Sequence, residues 1–120
     1  MASEGYHEPL DKLKVRTLDM HRAIVSLMEE LEAIDWYQQR VDAADDDELG
    51  AVLAHNRDEE KEHASMLLEW IRRRDPVFSA NLKKYLFTEG SLLEIEEAAG
   101  ETAPDARGRQ ATVGDLKGIK

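Results

Sequence analysis

Leu49-Gly50-Ala51-Val52-Leu53-Ala54-His55-Asn56-Arg57-Asp58-Glu59-Glu60-Lys61-Glu62-His63-Ala64-Ser65-Met66-Leu67-Leu68-Glu69-Trp70 is the stretch that decides the fold. Leu49, Leu53, Asn56, Glu60, His63, Leu67 and Trp70 follow one another in alternating steps of four and three, the spacing of one face of an α-helix. Apolar side chains hold both ends of that stripe, so its middle belongs to a core as well. A carboxylate and an imidazole stand there instead. Burying an unpaired carboxylate carries an effective penalty of roughly several kcal/mol even after relaxation, so something must compensate Glu60. A bound cation would do so. A solvated face of Glu59, Glu60 and Glu62, with His63 as a satisfied core histidine, fits the same spacing.

Upstream, apolar residues at Leu10, Leu13, Met20, Ile24, Leu27, Leu31 and Ile34, with Thr17 among them, keep a heptad stripe. They predict a long amphipathic helix from about Pro9, a good first-turn residue, to about Val41. The acidic run Asp45-Asp46-Asp47 then breaks the pattern, and an Asp there followed by Glu48 suits the start of a second helix, where carboxylates cap free amides. That helix should end at Arg72-Arg73-Arg74, before Asp75-Pro76. A third, shorter helix is expected from Pro76 to about Phe87. Gly90 interrupts it, and Ser91 with Glu94 reads as a capping box opening a last helix through Ala99. The fold class is therefore all-α, an antiparallel two-helix hairpin plus short C-terminal helices. Residues 1–99 form the domain, and 100–111 read as a disordered linker with almost nothing to bury.

A hairpin leaves one apolar side of each long helix open to water. Two hairpins packed as a symmetric homodimer would close a four-helix bundle.

The 120 residues allow one domain, 42% hydrophobic and 35% charged, with a mean hydropathy of -0.58. No apolar run approaches the roughly 20 residues needed to span a bilayer, and no signal peptide opens the chain, so a cytoplasmic protein without membrane contact is expected. Cysteine is absent, which excludes thiolate chemistry and restricts metal ligands to oxygen and histidine nitrogen. The formal net charge is -10; residues 101–120 carry three acids and four bases, leaving 23 acids against 12 bases in the first hundred. Such a body repels nucleic acid and attracts cations.

On the first helix, Glu30 has Ser26, Leu27, Ala33 and Ile34 as its three- and four-residue neighbours, with Ala23 and Tyr37 a heptad away. It borders the core on small and apolar residues, unlike an ordinary solvated glutamate. One hairpin thus offers Glu30 from one helix and Glu60 with His63 from the other. Doubled, this is the donor set of the two-metal site of ferritin-like bundles, in which two helices each give a Glu and two each give a Glu-x-x-His pair. The pair occurs once here, so such a site must lie on a dimer axis. Oxygen with imidazole suits iron, manganese or zinc. Glu29, Glu32 and Trp36 share an adjoining face that reads as an outer collecting site or as a plain acidic surface. Tyr37 is placed to lie over the metals or to serve as a core aromatic. His55 and Glu59 form a surface pair, and His7 and His21 read as structural.

With these residues in view the chain resembles the encapsulated ferritin family, over about His7 to Glu97. The resemblance rests on His21-Arg22-Ala23-Ile24-Val25-Ser26, Met28-Glu29-Glu30-Leu31-Glu32-Ala33-Ile34-Asp35-Trp36-Tyr37, Ala54 through Ala64, and Tyr85-Leu86-Phe87-Thr88-Glu89. It implies a ferritin-like four-helix bundle made by a dimer around a di-iron ferroxidase centre, with dimers assembled into a decameric ring. It puts Glu30, Glu60 and His63 in that centre, Glu29, Glu32 and Trp36 in the outer site, and Tyr37 beside the irons. Zinc, manganese or calcium could occupy the same ligands. Such proteins enclose no cavity and work in the lumen of an encapsulin nanocompartment. The tail Thr112-Val113-Gly114-Asp115-Leu116-Lys117-Gly118-Ile119-Lys120, with apolar residues at 113, 116 and 119, resembles the cargo-loading peptide that the encapsulin shell recognises.

Two other readings remain open from the residues alone. One is a metal-stapled structural or adaptor dimer without redox activity; the other is a plain coiled-coil module. A haemerythrin-like oxygen carrier is unsupported, because four histidines, three of them badly placed, cannot furnish its imidazoles.

Overall fold

A computed structural model of the chain describes residues 5–102. The described residues are helical throughout, without strands, and divide between residues 76 and 77 into two compact units. The first holds a 3-10 turn, Leu10–Lys12, and the helices α1, Val15–Ala43, and α2, Asp47–Arg74. The second takes in α3, Pro76–Tyr85, apart from its first residue, and α4, Leu92–Thr102.

The long helices begin and end where local chemistry dictates. The Asp46 side chain accepts the Leu49 amide at 2.8 Å and caps α2, while Asp47 and Glu48 place further negative charge in its first turn. Arg72, Arg73 and Arg74 close its last turn, and Glu69 accepts hydrogen bonds from Arg72 and Arg73 at 2.6 to 2.8 Å. That double clamp holds the Glu69 carboxyl down at about 2. Pro9 does not open α1 as expected. It starts the 3-10 turn instead, with the Lys12 and Leu13 amides bonded back to Pro9 and Leu10, and extended backbone at Leu13 and Lys14 precedes Val15. A 3-10 turn repeats every three residues, so the apolar spacing passes through the break without showing it.

Only three hydrophobic residues among those described are fully enclosed: Ala23 on α1, and Ala64 and Ile71 on α2, the last 1% exposed. The α2 stripe is half-buried from Leu53 to Trp70, with Leu49 exposed at its end. On α1 the seam is turned from the expected heptad line. Ala23 is buried next to an Ile24 that is 41% exposed, and Leu31 is 54% exposed. The apolar arc of α1 is wider than one helix can cover, so the hairpin uses one edge of it and leaves the other in solvent.

In the second unit, the Leu86 amide still bonds to Leu82, but Phe87 takes a left-handed φ of 62° and stops the helical run two residues short of expectation. Its side chain is fully exposed. Ser91 caps α4 as its spacing to Glu94 foretold, its hydroxyl accepting the Glu94 amide at 3.3 Å. Helix α4 continues to Thr102, three residues past the expected end at Ala99 and into the stretch read as linker. The remaining linker, 103–111, and the tail, 112–120, lie outside the described residues.

The Asp46 cap has a measurable weight. Asp46→Ala should destabilise the protein by about 0.5–2 kcal/mol in chemical denaturation at fixed protein concentration, because the Leu49 amide loses its acceptor. Asp45→Ala, which removes the same charge without the cap, should lose less; equal losses would assign the effect to charge alone.

Candidate metal centre

The hairpin brings together Glu30, Glu60 and His63, each offering one ligand atom within 4.8 Å of the others. Among the described residues no other group of three carboxylate or histidine side chains is so placed. The local reason is helical. Glu60 and His63 are three apart on α2 and so share a face, and α1 runs alongside with Glu30 on its seam. All three are half-buried, with side-chain exposures of 25% for Glu30, 23% for Glu60 and 45% for His63.

His63 Nδ1 lies 2.9 Å from Glu60 Oε1 and 3.4 Å from Glu30 Oε1. The shorter contact is a hydrogen bond; the longer is an ion-pair distance that leaves Glu30 Oε1 buried and without a hydrogen-bond donor. Both acceptors are carboxylates, so Nδ1 carries the hydrogen. The proton-sharing contact with Glu60, and then burial, hold Glu30 above the ordinary carboxylate range, while His63 opposes them. Glu60 is held below that range, first by Glu30 and then by His63. His63 is raised, chiefly by its hydrogen bond to Glu60. Two carboxyls therefore compete for one imidazole proton, and one buried oxygen is left over.

A divalent cation fits this set. It would give the orphaned Glu30 oxygen a partner, take the place of the Nδ1 proton and neutralise the facing carboxylates. The ligands are hard oxygen and imidazole nitrogen, which admits iron, manganese and zinc. An open groove of about 500 Å³, bordered by Ala23, Ser26, Met66 and Leu67, runs along one side of His63.

Of the other expected site residues, the carboxylates Glu29 and Glu32 are not members of that cluster. Glu29 and Trp36 are exposed and Glu32 is half-buried, all on α1. Tyr37 is half-buried, with the Arg40 guanidinium 5.4 Å from its ring centre. His55 is exposed, and His21 stacks against Tyr6 with ring centres 4.3 Å apart.

One contact near the cluster was not legible in the sequence. Arg57 Nη1 donates to Gln38 Oε1 across the hairpin at 2.8 Å, its Nε donates to Asp58 at 3.0 Å, and Gln38 Nε2 donates to Asp42 at 2.9 Å. The signal was its place three residues before Glu60, beside the seam, where a long cation seldom stands without partners.

The raised His63 fixes a pH dependence. His63 stays a doubly protonated imidazolium to higher pH than a free histidine, chiefly through its hydrogen bond to Glu60, and there a cation must displace one of the two ring protons. Affinity for Zn(II) should therefore rise as pH rises through the elevated His63 value and level off above it. Calorimetry should find on the order of one proton released per site below that value, fading to none above it. Affinity that is flat through this range, with no proton release, would contradict His63 as a ligand.

Known proteins resemble the chain in sequence and in fold. The EncFtn-like family profile matches residues 5–89. The chain is 58% identical over 113 residues to an encapsulated ferritin-like protein of Rhodospirillum rubrum, covering 94% of this chain and 79% of that one. It is 36% identical over 116 residues to an encapsulin nanocompartment cargo protein of Myxococcus xanthus, covering 87% of this chain and 89% of the relative. A crystal structure of a protein from Nitrosomonas europaea superimposes with a TM-score of 0.71 at 66% identity, over 73% of this chain and 97% of that one. Taken with the all-helical hairpin and the carboxylate-imidazole cluster, these matches make the chain a member of the EncFtn-like, encapsulated ferritin family.

Proposed function

We propose that the protein is a ferroxidase: it takes Fe(II) as substrate and passes its electrons to O2 at a di-iron site completed across a homodimer. The observation that carries this reading is the buried Glu30 oxygen with no donor, set beside Glu60 and His63. One chain supplies two carboxylates and one imidazole, which is half of what two bridged metals use in ferritin-like bundles. Bound as a pair, two Fe(II) ions supply the two electrons for one O2.

The chain's own groups do the rest. Glu60, hydrogen-bonded to His63 and facing Glu30, would share in holding both metals; the acidic helix faces favour the ferric product by charge. Glu29, Glu32 and Trp36 serve as the outer collecting site, and Tyr37, a heptad from Glu30, stands beside the metals. Ile24, Leu31 and Met66, left exposed by the single hairpin, supply apolar surface for a second copy, and dimers assemble further into a decameric ring. We read residues 112–120 as the segment that an encapsulin shell binds and the lumen of such a compartment in the cytoplasm as the place of work; the name of a relative, an encapsulin nanocompartment cargo protein, supports this reading. There it delivers ferric iron for storage.

Replacing Glu30, Glu60 and His63 together with Ala should reduce Fe(II)-dependent O2 consumption to the rate of iron in buffer. Zinc-dependent dimerisation with no O2 consumption by the unaltered protein would overturn the redox reading in favour of a metal-stapled structural dimer.

A further inference from the structure

The candidate ligands come from two helices held together by very little enclosed apolar surface, and two of them are carboxyl groups set against each other across the seam. Apolar packing is non-directional, so a seam with few enclosed side chains resists sliding and rotation weakly. Hydrogen bonds with fixed geometry are what can set the register. Arg57 supplies one on the loop side of the site. It is one turn before Glu60 on α2, and its partner Gln38 is about two turns beyond Glu30 on α1.

The Arg57 side chain is only 19% exposed. Two of its donors have fixed partners: Nη1 is bonded to Gln38 and Nε to Asp58, which Lys61 Nζ approaches to 3.4 Å. The Gln38 amide is committed in turn to Asp42, so it cannot rotate its carbonyl away from Arg57 without losing a second bond. Charge from Asp58 and Asp42 favours the cationic Arg57 and keeps the bridge charge-assisted. The bridge is thus braced at both ends by carboxylates on its own helices.

We propose that Arg57 is a positioning residue: its bridge to Gln38, tied on to Asp42, sets the register at which Glu30 meets Glu60 and His63. It touches no substrate. This rests on the metal-site reading above, and it adds that the site is preorganised by the hairpin before any cation binds.

The test uses full-length protein and four variants: Arg57→Ala, Arg57→Lys, Gln38→Leu and the double Arg57→Ala/Gln38→Leu. With Zn(II) as probe, each Ala or Leu variant should lose about ten- to a hundredfold in affinity, the size usual for removing an orienting partner. The double variant should lose no more than the worse single, because both remove one bridge. Arg57→Lys should fall between, since an ammonium on a flexible stem cannot hold Gln38 and Asp58 in the same fork. Should Arg57→Ala unfold, Gln38→Leu carries the test at an exposed position.

A second readout needs no metal. The natural chain has no cysteine, so Gln39→Cys and Glu59→Cys accept spin labels cleanly, diluted with unlabelled protein so that one labelled chain is measured. The metal-free distance distribution across the hairpin should be narrow with Arg57 present and broaden or shift in Gln38→Leu. Lowered Zn(II) affinity with an unchanged distribution overturns the proposal, as does an unchanged distribution with unchanged affinity. If even the unaltered protein binds no Zn(II), the metal-site reading fails by itself, and the distance measurement still decides whether Arg57 fixes the register.

Discussion

Two carboxylates facing each other across a helical seam, with one imidazole between them, are the constraint on which the rest of this molecule turns. Glu60 stands on the α2 stripe where the hairpin should bury leucine, Glu30 meets it from the border of the α1 seam, and the Nδ1 hydrogen of His63 bonds only to Glu60. Without a cation the pair weakens the contact it sits in. The elevation of Glu30 and of His63 records that tension: protons are held at the site because something positive is wanted there. A cation relieves it, so metal affinity and helix pairing draw on the same interactions.

That tension explains a hairpin with so little core. Ala23, Ala64 and Ile71 are enclosed, while Ile24, Leu31, Met66 and other large apolar groups remain in solvent. Lone hydrophobic residues on a surface are ordinary, but a long helix with apolar groups on two faces is built to be covered twice. One face meets α2. On the proposed reading the other meets a second copy, and the same act of association covers the apolar arc and doubles the donor set. Chemistry then depends on assembly, which keeps an incomplete site from handling iron alone.

Much of this was legible in the sequence wherever the cause was local. The Asp46 cap, the arginines closing α2 and the Ser91 cap each depend on residues within one turn, and each lies where spacing placed it. Glu60 and His63 were legible because polar residues on an apolar stripe break a period. The phase of the α1 seam was not: its apolar arc is wider than a heptad line, and which edge meets α2 depends on the partner helix. The 3-10 turn at Leu10–Lys12 was hidden because its period matches the first step of the helical one. Arg57 escaped because its partner lies 19 residues away on the other helix, a distance no local rule spans. Phe87 falls at the end of the expected third helix, and nothing about a phenylalanine foretells a left-handed backbone. The roles of Glu29, Glu32, Trp36 and Tyr37 and the recognition of the tail rest on family resemblance.

The central claim is that one chain carries half of a site. It is tested most directly by the initial rate of Fe(II) oxidation as the protein is diluted through its dimer dissociation range at constant iron and O2, with mass followed in parallel by sedimentation. The rate per chain should fall together with the dimer fraction, approaching second order in protein. A rate per chain that stays constant while sedimentation reports monomer would show that a single hairpin suffices.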